Sequence, residues 1–124
     1  MKEIILTSDV DSGYKLLDLI RDHNLSLKSI RCFTEKDIIE NSDKFNNTQY
    51  IFSTWNMPVL EEEVICKIFP QLKCVFYAAG TVKYFARPFL NAGVKIFNAS
   101  FSNSIPVAEF VTGQVLLANK GYFQ

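Results

Sequence analysis

Neither sign of charge is in excess: 13 basic and 13 acidic residues cancel. A balanced chain has no field for nucleic acid or an anionic membrane, so neither is expected as a partner. Cysteine is scarce and odd in number (Cys32, Cys66 and Cys74), with no C-x-x-C spacing. That implies no disulfide framework and points to reduced, buried thiols in a cytoplasmic protein. His23 is the single histidine, so no metal site is expected. It closes the first helical pattern, where an exposed ring favours the dipole. No run approaches the roughly 18 apolar residues of a membrane span. The opening Met1-Lys2-Glu3-Ile4-Ile5-Leu6 has an early acid and stops at Thr7, so it reads as a strand rather than a secretory leader. Gly13, Gly80, Gly93, Gly113 and Gly121 never form G-x-G, which excludes a dinucleotide fingerprint and a P-loop. There is no G-x-S-x-G elbow either.

What is present is globular. Hydrophobic residues make up 48% of the 124-residue chain and charged residues 21%, which is enough apolar matter for one domain with a real core. Short apolar runs alternate with amphipathic ones. Strands are expected at Lys2–Thr7, Leu27–Phe33, Tyr50–Thr54, Lys73–Ala78 and Val94–Asn98. The fourth is apolar on both faces, as a central parallel strand should be.

Helices are expected between them. The first runs from Val10 to His23, with Tyr14, Leu16, Leu17 and Ile20 inward and Asp9 and Asp11 as caps. A short one follows Thr34 as N-cap, with Ile38 and Ile39 inward. The third opens at Pro58, buries Val59, Leu60, Val64, Ile65 and Ile68, and stops at Pro70. The fourth covers Thr81–Asn91, with Gly93 as its C-terminal cap. A polar loop, Ala99–Ile105, leads to a last helix from Pro106. Five alternations with long crossovers predict an α/β fold: a flavodoxin-like, doubly wound, five-stranded parallel sheet.

Such sheets bind ligands beyond the carboxyl ends of their strands. The turn Ala79-Gly80-Thr81 lies there. With a helix following at once, its free amides would suit a carboxylate; otherwise it is a plain turn whose glycine relieves sterics. Trp55, the only tryptophan, either walls a substrate pocket or covers the rim of the core. A phospho-acceptor domain of this fold needs an aspartate ending the third strand, where Ser53-Thr54 stand.

Several segments in order carry a family resemblance: Pro70-Gln71-Leu72-Lys73, Ala79-Gly80-Thr81, Ala92-Gly93-Val94-Lys95-Ile96-Phe97-Asn98-Ala99 and Phe101-Ser102-Asn103-Ser104-Ile105-Pro106-Val107-Ala108-Glu109. Together they resemble the D-isomer-specific 2-hydroxyacid dehydrogenases, in particular the phosphoglycerate dehydrogenase branch. The first 69 residues match only as a fold pattern. The resemblance implies a substrate-binding lobe over residues 1–105 and a crossover helix over 106–124, from an enzyme that moves hydride between a small 2-hydroxy acid and its 2-keto acid with NAD or NADP. Backbone amides at Ala79 and Gly80 would hold the substrate carboxylate. Asn103 and Ser104 would line the cleft and touch the nicotinamide end of the cofactor. Ser104 stands where threonine is common and keeps the hydroxyl. Val82 stands where an acid or amide is common.

In that family the nucleotide-binding lobe and the catalytic arginine, glutamate and histidine come later, so they are expected beyond Gln124. No catalytic residue, tight cofactor binding or activity is then expected of these 124 residues alone; His23 and Glu109 match no catalytic position. The alternative is a stand-alone flavodoxin-like binding or dimerisation module without catalysis. A flavin carrier is a poorer match, because Thr7–Gly13 makes a poor phosphate loop. The last helix has a narrow polar stripe, Glu109, Thr112, Gly113 and Gln114. One side is expected to pack on the sheet and the rest to meet a partner, most simply in a homodimer.

Overall fold

Five short apolar runs pair side by side as strands. The computed structural model describes residues 1–23 and 29–123. The strands are β1 (Glu3–Leu6), β2 (Cys32–Phe33), β3 (Tyr50–Ser53), β4 (Cys74–Tyr77) and β5 (Lys95–Asn98). They form one sheet in the order β2-β1-β3-β4-β5, and every pairing is parallel. This is the flavodoxin-like order expected from the alternation. Ser53 lies beside Tyr77, and Tyr77 beside Asn98. The loops after β3, β4 and β5 therefore leave the sheet at one common edge. The second strand is shorter than expected. Leu27 and Lys28 lie outside the described residues, and Ser29–Arg31 are not strand.

One side of the sheet is well covered. Helices α2 (Glu35–Glu40), α3 (Glu62–Ile68) and α4 (Ala86–Asn91) enclose the main core, built around Ile4, Ile51, Ile65, Val75, Phe85 and Phe89. Thr34 caps α2 in a reciprocal box with Asp37. α3 starts at Glu62 rather than Pro58. Asn56 turns through φ 64°, and the chain then runs extended, burying Met57 and Leu60 while Val59 stays exposed. The helix begins where Glu62 and Glu63 meet its positive end. Only Ile38 of the α2 pair is buried. Six residues turn too little to hide Ile39 as well.

α4 begins at Ala86, not Thr81. The chain first loops to seat Phe85, fully buried, with its ring 5.0 Å from that of Tyr77. Gly93 ends α4 as expected. At φ 80° it lets its amide reach Leu90 O and the Val94 amide reach Phe89 O, the paired bonds of a Schellman cap.

The other side is only partly covered. Helix α1 (Val10–Asp22) packs Leu17 and Ile20 against Ile5 and Ile30. Asp9 caps it. Gly13 sits so close to β2 that the buried stripe runs through 13, 17 and 20, leaving Tyr14 exposed. Among the described residues nothing covers β4 and β5 on this side. Phe76 is 37% and Phe97 52% exposed. The expectation that β4 is buried on both faces is corrected accordingly.

Helix α5 (Ser100–Asn119) absorbs both the expected loop and the expected last helix, with Pro106 inside it. Asn98 starts it early by accepting the Ser100 amide at 3.3 Å. The expected packing of α5 on the sheet does not occur: none of its residues is buried, and Phe101 is 82% exposed. Among the described residues no helix is long and apolar enough to cross a membrane.

Candidate functional site at the carboxyl edge of the sheet

The common edge gathers the loops after β1, β3, β4 and β5. Buried hydroxyls tie them together. Ser53 Oγ donates to Leu6 O at 2.6 Å, fixing β3 against the end of β1. The Thr7 hydroxyl, also buried, faces the carbonyls of Asp9 and Trp55 and accepts the Asp9 amide at 3.1 Å. The Ser8 amide donates to Asn56 O at 2.7 Å. The first two loops are thus held in fixed relation.

The loop after β4 is pinned at its start and by its carbonyls. The Ala78 amide donates to Ser53 O at 2.8 Å. The Ala99 amide reaches both Tyr77 O and Ala79 O at 3.1 Å. Ser100 Oγ donates to Gly80 O at 2.9 Å. The amides of Ala79, Gly80, Thr81 and Val82 donate to no acceptor among the described residues. A run of free amides can donate to an anionic oxygen where the N–H groups converge. Lys83 follows in the same loop and adds positive charge.

The reasoning from sequence needed a helix directly after Thr81. That part is corrected: α4 starts five residues later and is short, so its dipole does not aim at this loop. What the loop offers is its amides, with the charge of Lys83 next in sequence.

Asn103 lies in the first turns of α5, with its Nδ2 3.4 Å from where a Gly80 methyl would stand. The residues expected to meet substrate and those expected to meet cofactor are therefore neighbours. Ser104 Oγ donates to Phe101 O at 2.7 Å within the helix, leaving its lone pairs outward. Trp55 is 64% exposed at the same edge of the sheet, so its ring does not cover the core rim.

Two features escaped the sequence. Ser100 anchors Gly80, a contact foreshadowed only by the polar run Asn98–Ser100. Tyr77 OH and Tyr84 OH meet at 3.2 Å, and burial, with that hydrogen bond, holds the Tyr77 phenol well above its usual range. His23 is exposed at the end of α1, with its Nδ1 2.8 Å from Leu19 O. The expectation of three buried thiols is corrected: Cys32 and Cys74 are only half-buried, and Cys66 is exposed on α3 because Ile65 and Ile68 take the inward positions. Among the described residues no group of metal-ligating side chains comes together.

No protein-family model and no curated protein matches this chain.

Proposed function

We propose that this chain is the substrate-side lobe of an NAD(P)-dependent D-2-hydroxyacid dehydrogenase, and that its Ala79–Val82 amides hold the carboxylate of a small 2-hydroxy or 2-keto acid. The observation that carries the reading is the loop after β4: a run of unpaired amides, held rigid by Ser53, Ala99 and Ser100, at the ligand-binding edge of a parallel sheet. The neighbouring Asn103 supports it, because the family resemblance assigns that residue to the nicotinamide side of the same cleft.

The chain's own part is binding and orientation. Amide dipoles fixed in advance bind a carboxylate without reorganising, and they set the direction in which the adjoining carbon presents itself. The exposed Trp55 ring, at the end of the neighbouring strand, offers an apolar wall to the rest of a small acid. A dinucleotide does not fit these residues alone. β1 runs into Thr7-Ser8-Asp9 without the glycines that let a backbone approach a pyrophosphate. Asn103 and Ser104 would supply one edge of a nicotinamide site.

The test is a ¹⁵N–¹H titration with oxamate, with glycolamide as the uncharged control. Oxamate should move the amides of Ala79, Gly80, Thr81 and Val82 together, with glycolamide leaving them in place. Shifts confined to other residues, or equal shifts with both compounds, would overturn the assignment.

A further inference from the structure

The four free amides after β4 are not all held by the same contacts. Ser53, Ala99 and Ser100 fix the loop at Ala78, Ala79 and Gly80. Thr81 and Val82 lie beyond those bonds. The Val82 carbonyl accepts the amides of Phe85 at 3.2 Å and Ala86 at 2.9 Å, so Val82 moves with the turn that opens α4. The fully buried Phe85 sinks that turn into the core. Apolar burial is non-directional, so it sets the depth of the turn more than its direction.

One directional contact spans the loop. Tyr77 ends β4 with its side chain in the main core, and Tyr84 lies seven residues on, just before Phe85. Their hydroxyls meet at 3.2 Å, and the Phe85 ring stands 5.0 Å from each phenol ring. The bond joins the end of a paired strand to the turn, and Ala79–Val82 lie inside the ring that it closes. The two partners differ in exposure. Tyr77 is 4% exposed, and Tyr84 is the one side-chain partner of its hydroxyl among the described residues. Tyr84 is 45% exposed, so its ring adds little to the core. A phenylalanine at position 84 could make the same ring contacts. What tyrosine adds there is the hydroxyl.

We propose that Tyr84 is a positioning residue: its hydroxyl, bonded to that of Tyr77, holds the Thr81 and Val82 amides in register with those of Ala79 and Gly80, so that all four serve one anionic group. The use of these amides for a carboxylate rests on the proposed function; the hold on the loop does not. Donors that must be ordered on binding cost affinity that fixed donors keep. One ordinary hydrogen bond shifts an equilibrium by about three- to tenfold, and that is the effect expected.

Tyr84→Phe, Tyr77→Phe and the double variant separate positioning from stability. Tyr84→Phe leaves the buried Tyr77 hydroxyl without its partner, so Tm should fall. The double variant removes both groups and should recover most of that loss. Oxamate affinity, read from ¹⁵N–¹H shifts, should drop about three- to tenfold in all three variants and should not return with Tm. The Thr81 and Val82 responses should shrink while those of Ala79 and Gly80 persist. Native affinity in either single variant would overturn the proposal, and so would affinity that recovers together with Tm in the double variant. If the amides of the native chain ignore oxamate, the carboxylate reading fails by itself, and ¹⁵N relaxation without ligand decides the hold. Thr81 and Val82 should then gain motion in Tyr84→Phe, and unchanged relaxation would overturn the role of Tyr84.

Discussion

Replacing Gly13 with alanine tests how closely α1 lies on the sheet. Helix propensity favours alanine over glycine by about 1 kcal/mol, so an unpacked helix would gain stability. The structure predicts the opposite. A methyl at position 13 collides with Cys32 Sγ and stands 2.8 Å from Thr7 Cγ2. The half-buried thiol can rotate away. Thr7 cannot do so freely, since it is fully buried and its hydroxyl is bonded on both sides. Overpacking of this kind costs about 1–3 kcal/mol. Set against the propensity gain, the expected net loss is about 1 kcal/mol, reaching about 2 where the helix cannot shift. Tm should fall by roughly 5–10 °C. Urea unfolding followed by circular dichroism gives the number. Adding Cys32→Ala should recover part of the loss, with the Thr7 contact remaining. A Gly13→Ala protein as stable as the native one, or more so, would show that α1 is not held against β2 as described.

Other outcomes follow from individual contacts. Thr34→Ala removes the side-chain half of the α2 capping box, leaving the residue-34 amide on the Asp37 carboxylate, and should cost about 1 kcal/mol in a urea titration. Asp37 is held below the usual carboxylate range by the Thr34 amide and hydroxyl, and Asp9 by the Ser12 hydroxyl. Depressed values in the fold mean that this stability is complete above the unfolded range near pH 4 and is lost as pH falls through the folded values. Asp37→Asn should therefore flatten the acid limb of the urea midpoint plotted against pH, and an unchanged limb would contradict the assignment. Phe89→Ala empties a fully buried site and should cost about 3–5 kcal/mol, a large share of the roughly 5–15 kcal/mol that holds a domain of this kind, read as a lower urea midpoint. Peptide mapping after brief alkylation should find Cys66 modified first and Cys32 last, because burial pushes the Cys32 thiol up, aided by the Asp37 charge.

The sheet was legible because its signals are local. Ile4-Ile5-Leu6 and Cys74-Val75-Phe76-Tyr77 are short apolar runs, and no helix of useful length fits between their flanking polar residues. Caps were legible for the same reason: Thr34 with Asp37, Asp9 before α1 and Gly93 after α4 act on neighbours in sequence. The starts of α3 and α4 were not legible. They depend on where Met57, Leu60 and Phe85 must point, which only the assembled core decides. α5 misled in two ways. Pro106 resembles a helix start, yet Asn98 begins the helix earlier, and an apolar helix was assumed to find its own sheet. At the candidate site the glycine turn was placed correctly after β4, but the helix expected directly behind it starts only at Ala86.

The strand order also sets how the chain must find its fold. Each adjacent pair of strands is parallel, so no pairing can begin as a hairpin. β2 meets β1, β4 meets β3 and β5 meets β4 with short connections, whereas the β1–β3 pairing that joins the two halves must close the loop from Glu3 to Tyr50. Loop-closure entropy rises with that length, so each half pairs before the two join, and the half from Tyr50 to Asn98, with three strands against two, is the larger nucleus. Substitutions at Val75 or Phe89 should therefore slow refolding, whereas substitutions at Leu17 should chiefly speed unfolding. α5 touches none of this core, so its sequence is free of the folding problem altogether.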